Sequence, residues 1–238
     1  MIGIIGGSGL AVPTLLEGAR DTFPATPHGD PSGPLVLARH GRTEVAFLAR
    51  HGRGHAIPPH RVNHKANLWA LKNAGATAVL ATSSVGSLKQ PIRPGTFLVP
   101  HDYVAFWNVP TFFDDEVRHV TPVLDDRLRK RLVAAARRTG ARVSARGGVY
   151  VQATGPRLET KAEIAFFKRL GDVVGMTIAS EATLAAELEL PYAALCSVDN
   201  YCHGIGGSTL TYEEIARTQG RTARATERIL AAVLEDLG

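Results

Sequence analysis

The chain has 238 residues, 45% of them hydrophobic and 21% charged. That length can bury roughly 70% of the unfolded surface around one core, and the composition excludes a disordered or low-complexity polypeptide. Two cysteines exclude a disulfide framework, while a formal net charge of +5 keeps anionic partners in view.

The first run, MIGII, is apolar but has neither a basic flank nor a cleavage site, and no later stretch offers the ~18 apolar residues of a membrane span. The expectation is a cytoplasmic protein whose chain opens on a β-strand. GGSGL follows. Its closely spaced glycines suit a turn whose N–H groups form an anion nest, with the Ser8 hydroxyl as a further donor; the plain alternative is a tight strand exit. The segment lacks the third glycine of a dinucleotide fingerprint and the lysine of a Walker A loop.

PLVLAR and EVAFLAR read as strands. After them comes RHGRGHAIPPHRVNH, residues 50–64, with four histidines and three arginines around Pro58 and Pro59. His60 and His64, four apart, could share a helix face and bind zinc, but no third ligand is near in sequence. Arg50 and His51, directly after a strand, offer a guanidinium and an imidazole donor suited to an oxyanion. His55, His60 and His64 have a plainer reading as surface or helix-start residues. A helix is expected over HRVNHKANLWALKNAG, with Pro58 and Pro59 marking its start, Val62, Ala66, Trp69 and Ala70 on one apolar face, and Gly75 ending it.

ATAVLATSS and GTFLVP are the next strands. Thr82, Ser83 and Ser84 fall at a predicted strand end, where hydroxyls and freed N–H groups either complete an anion cradle or form an ordinary polar loop. Through the basic stretch at residues 127–142 and just before it, Leu124, Leu128, Leu132 and Ala136 repeat at helical spacing and leave the basic residues on the solvent side. No aromatic residues interleave to stack bases, so nucleic acid is not the expected partner. GGVYVQATG is a strand, LETKAEIAFFKRLG a helix closed by Gly171, SEATLAAELEL a helix, PYAALCSVDNY a strand, and a long helix begins near Tyr212. Cys196 and Cys202 lack metal-ligand spacing and read as reduced thiols. The alternation of strands and helices argues for one α/β domain over residues 1–238, with ligands bound outside the strand carboxyl ends. Glu159 at a helix start and Asn200 at a strand end could read complementary edges of a heterocycle, or serve as a helix-dipole charge and a turn residue.

Together, GIIGGSGL, RHGRGH, PHRVNHKANLWAL, GSL, ATGPRLET, VGMT and the VDNY strand resemble the trimeric purine nucleoside phosphorylase family, most closely its 5′-methylthioadenosine and 5′-methylthioinosine branch. The resemblance covers almost the whole chain. It implies a twisted mixed β-sheet flanked by helices, a homotrimer, no metal and no organic cofactor. It also implies that Ser8, Arg50, His51, Ser83 and Ser84 hold phosphate, that Met176 and Thr177 contact ribose, and that His119 is lent across a subunit interface.

On the base, the resemblance divides. Adenine-cleaving members carry a T-D-Y-D stretch, where this chain reads DNYC: Asn200 stands for the first aspartate and Cys202 for the second. Leu158-Glu159-Thr160 resembles the Phe-Glu-Thr of 6-oxopurine phosphorylases. Glu159 can accept from N1–H of a 6-oxopurine while the Asn200 amide donates to O6 and accepts from a protonated N7. The sequence departs from the family at SEA after GMT and at His64 in place of a tyrosine. A one-residue slip would make Asp199 the base reader and return adenine. Thr211 and Ile215 are candidates for the 5′ pocket. A nucleoside hydrolase and a non-catalytic nucleotide- or nucleic-acid-binding module are the rival readings.

Overall fold

The structure, a computed structural model, describes residues 1–8, 10, 14–107, 109–144, 147–206 and 212–238. In chain order the elements are β1 (Ile2–Gly6), β2 (Glu17–Thr22), β3 (Leu35–His40), β4 (Thr43–Ala49), α1 (His64–Asn73), β5 (Ala78–Ser87), β6 (Phe97–Leu98), β7 (Asp102–Val104), α2 (Asp126–Arg138), β8 (Val149–Gln152), α3 (Lys161–Phe167), β9 (Val173–Gly175), α4 (Ile178–Glu187), β10 (Tyr192–Tyr201) and α5 (Tyr212–Leu237).

The apolar strands form one mixed sheet in the order β2-β3-β4-β1-β5-β9-β8-β7, with β10 paired to both β5 and β6. Strands β4, β1, β5 and β10 run parallel, and β9 joins β5 antiparallel. Burial on both faces explains why these strands are continuously apolar instead of alternating. In β5, Val79 and Ala81 pack toward α1 and α4, with Leu68, Leu71, Ile178 and Ala182. Leu80 packs on the other face against Leu128, Leu132, Ile229 and Val233 of α2 and α5. The expected α/β architecture, a mixed sheet flanked by helices, is the one found. Among the described residues no helix is long and apolar enough to cross a membrane.

Three expectations change. Helix α1 starts at His64, not at the prolines: Pro58 and Pro59 open a separate 3₁₀ turn, and the Asn63 side chain caps α1 by accepting from the Ala66 N–H at 3.1 Å. His60 therefore lies in the turn and His64 in the helix, so they do not share a helix face. Strand β5 runs on through Ser87, which puts Ser83 and Ser84 inside a strand and not after it. Finally, β2 (EGARDT) is a polar, mostly exposed strand with no apolar pattern to announce it.

Candidate active site

The site lies where β5 changes partners. Pairing with β1 stops at Ala81 and pairing with β9 begins at Gly86. Residues 82–85 thus keep β10 on one side and lack a strand on the other. Into that gap come the turn after β1 and the end of β4. The Gly7 N–H donates to Thr82 Oγ1 at 2.9 Å, and Arg50 Nη1 donates to the Thr82 carbonyl at 2.7 Å. A Cβ on Gly7 would sit 2.4 Å from the Thr82 carbonyl oxygen and 2.5 Å from Arg50 Nη1, so only glycine permits this approach.

Around the gap is a cavity of about 260 Å³ lined by residues from every strand end nearby. Ser8, Arg50, His51, Ser83 and Ser84 line it, and so do Leu158, Glu159, Met176, Thr177 and Asn200. Ten of the residues singled out in the sequence therefore meet in one place. His55, Gly86, Cys202 and Ile215 join them. Ile215 was a 5′-pocket candidate; Thr211, the other, lies outside the described residues.

Arg50 is fully buried and is not a free clamp. Its Nε and Nη2 donate to Glu181 Oε1 and Oε2 at 2.5 and 2.9 Å, a bidentate pair with a carboxylate that is itself wholly buried. The Tyr192 hydroxyl donates to the same carboxylate at 2.7 Å. Burial alone would neutralise both groups; their mutual attraction and hydrogen bonds outweigh it, raising the arginine and lowering the glutamate. Among the described residues, three of the five guanidinium N–H groups are committed, which leaves two for a ligand. His64 Nδ1 lies 3.7 Å from Glu181 Oε1. Glu181, from the SEA segment, was invisible as a site residue because its partner is 131 positions away.

Asp199 and Asn200 separate cleanly. Val198 pairs with Val85 and Asn200 with Gly86, so Asp199 is the extra residue of a β-bulge. Asn200 lines the cavity, with its Nδ2 donating to the Tyr201 carbonyl at 2.9 Å. A Cβ on Gly86 would lie 3.1 Å from that Nδ2 and 2.6 Å from Cys202 Sγ, so glycine makes room for the amide. Asp199 is buried outside the cavity lining and accepts from Ser197 Oγ at 3.0 Å and Thr222 Oγ1 at 3.2 Å, against α5. The expectation of Asp199 as a substrate contact is corrected: the bulge sends its carboxylate toward α5.

Burial pushes the Asp199 carboxyl up to about 6, against the opposing hydrogen bonds from Ser197 and Thr222. The native state then holds a proton between about pH 4 and 6 that the unfolded chain has released, so this group's contribution to stability falls as pH rises through that window, by ~2–3 kcal/mol in all. Asp199→Asn is expected to remove that slope. Thermal melts of both proteins at about pH 4.5 and 7.5 check it: the wild type should lose more on going to the higher pH, and parallel losses would contradict the assignment.

Other groups fall where their contacts put them. Met176 follows β9, and Thr177, which precedes α4, donates its N–H to the Tyr150 hydroxyl at 3.1 Å. Burial raises the Glu159 carboxyl. His55, which the sequence marked as surface decoration, sits at φ 57°, with Nε2 3.5 Å from Ser8 Oγ. His119 lies on an exposed segment and does not line the cavity of its own chain. Cys196 and Cys202 are both buried free thiols.

A family model described as the phosphorylase superfamily matches residues 1–235. A probable 6-oxopurine nucleoside phosphorylase of Archaeoglobus fulgidus is 42% identical over 97% of this chain and 94% of its own length. A probable S-methyl-5′-thioinosine phosphorylase of Pseudomonas syringae pv. tomato is 45% identical over 96% of this chain and 98% of its own length. Methylthioadenosine phosphorylase from Schistosoma mansoni, solved in complex with adenine, superposes with a TM-score of 0.92 at 31% identity, covering 100% of this chain and 91% of that one. A chain matched by the family model over nearly its whole length, with close relatives of equal span, belongs to the phosphorylase superfamily.

Proposed function

We propose that this enzyme is a purine nucleoside phosphorylase for 6-oxopurine nucleosides, 5′-methylthioinosine, inosine or guanosine. Inorganic phosphate displaces the base at C1′ with inversion, giving free base and ribose 1-phosphate or its 5-methylthio analogue. The observation that carries the reading is the convergence on one cavity of an arginine-and-serine anion site with an amide and a carboxylate, Asn200 and Glu159.

The chemistry follows from where charge develops. As the glycosidic bond stretches, positive charge grows on the ribosyl ring and negative charge on the purine, as in glycoside cleavage. Phosphate held by Ser8, Arg50, His51, Ser83 and Ser84 is both the nucleophile and the counter-charge, so positioning and electrostatics act together. Glu159 accepts from N1–H, and the Asn200 amide donates to O6 and accepts from N7–H, stabilising the departing base. Met176 and Thr177 lie against the ribose, with Leu158 beside the base. The reaction calls for no metal and no organic cofactor.

A cytoplasmic homotrimer belongs to the same proposal. Two buried thiols with no bond between them suit a reducing compartment. The apolar side chains Phe106, Trp107, Val117, Val123 and Phe166 are exposed on and near the segment that carries His119, a surface suited to a second copy of the chain. His119 would then complete a neighbour's site.

The test is base release from inosine, guanosine, 5′-methylthioinosine and 5′-methylthioadenosine, each with and without phosphate. Phosphate-dependent release from the 6-oxopurines alone is the expected result. Release from methylthioadenosine in preference would overturn the base assignment, and phosphate-independent release would point to a hydrolase.

A further inference from the structure

One residue assigned to the anion site has its proton already committed elsewhere. His51 Nδ1 lies 2.8 Å from the Ile57 carbonyl oxygen, which can only accept, so the imidazole proton is on Nδ1. Nε2 then carries a lone pair. The groups acting on this ring are Arg50, His55 and Glu181, and the His55 ring centroid is 4.4 Å away. Burial first, then the Arg50 guanidinium, lowers His51 to about 4, and both causes lower His55 as well. Neither ring is charged near neutral pH.

His51 lines the cavity beside Arg50 and Ser84, and Ser84 Oγ accepts from Gln219 Nε2 at 3.0 Å. Among the described residues, two Arg50 N–H groups are uncommitted and remain donors.

We infer that His51 Nε2 meets the anion as a hydrogen-bond acceptor, so the site selects an oxyanion that still carries a proton over one of the same shape and charge that has none. The inference rests on the phosphorylase reading for the identity of that anion. Hydrogen phosphate, a tetrahedral dianion with one P–OH, can donate to a lone pair. Sulfate, a tetrahedral dianion without a proton, would face the same lone pair with an oxygen of its own. A lone pair desolvated without a partner costs enough to weaken binding by ~10-fold or more.

The experiment is competition of sulfate against phosphate at constant ionic strength near pH 7.5, read from phosphorolysis and, independently of turnover, from titration calorimetry of the two anions. The wild type should bind sulfate at least ~10-fold more weakly than phosphate. His51→Gln can turn an amide N–H toward the anion, and the ratio should collapse to within ~3-fold. Because that variant also alters a buried contact, the imidazole ¹⁵N spectrum of the wild type supplies a second readout: an Nδ1–H tautomer with and without phosphate is expected. Sulfate binding within ~3-fold of phosphate in the wild type, an unchanged ratio in a folded His51→Gln protein, or an Nε2–H or doubly protonated ring would each overturn the inference. If calorimetry gives the expected ratio but nucleoside cleavage consumes no phosphate, the functional reading fails and the anion selectivity stands.

Discussion

Asn200→Asp is expected to shift the enzyme from 6-oxopurine toward adenine nucleosides, changing the ratio of kcat/KM by on the order of 10²–10⁴. The magnitude follows from what a mismatched base leaves unpaired. An amide at 200 can donate to O6 and accept from N7–H, whereas a carboxylate can only accept, which repels O6 and suits an exocyclic amine. Gly86 leaves room for the side chain at 200, and Asp differs from Asn by almost no volume, so the substitution changes polarity without changing fit. Glu159 works against adenine on the other edge, because adenine N1 offers a lone pair to a carboxylate. Asn200→Asp combined with Glu159→Gln should therefore move selectivity further than either alone. Steady-state kinetics on inosine and 5′-methylthioadenosine check this; an unchanged ratio in Asn200→Asp would remove Asn200 from base recognition.

The second large effect concerns stability. Arg50→Ala leaves the Glu181 carboxylate wholly buried with the Tyr192 hydroxyl as its one close hydrogen-bond donor among the described residues. An uncompensated buried charge of this kind typically costs ~3–5 kcal/mol. For a chain of this size that corresponds to a fall in Tm of ~6–20 °C. The substitution should therefore destabilise the fold as well as weaken phosphate binding, which the sequence alone would have credited to phosphate contact only. Replacing both partners, Arg50→Met with Glu181→Leu, should cost less than the sum of the single changes, since no charge is then stranded. A calorimetric Tm within ~2 °C of wild type for Arg50→Ala would contradict the ion-pair account.

What the sequence revealed and what it hid follow from the range of the interactions involved. Strands β1, β4, β5 and β10 are buried on both faces and announce themselves as apolar runs, and α2 shows its buried stripe of Leu128, Leu132 and Ala136. Strand β2, polar and exposed, is held by backbone pairing to β3 and gives no such signal. The cavity residues at strand ends were legible because parallel sheets gather their loops at one edge. The commitments of those residues were not. Arg50 is set by Glu181 and Ser84 by Gln219, partners 131 and 135 positions away. The choice between Asp199 and Asn200 turns on a single bulged residue, which strand alternation cannot locate from sequence.

The most direct test of the account is ³¹P NMR of the enzyme with phosphate and inosine or 5′-methylthioinosine, alongside chromatographic measurement of free base. The account requires a sugar 1-phosphate resonance that grows in step with base released and with inorganic phosphate consumed. Base release with no loss of inorganic phosphate would contradict it, because water and not the bound anion would then be the nucleophile.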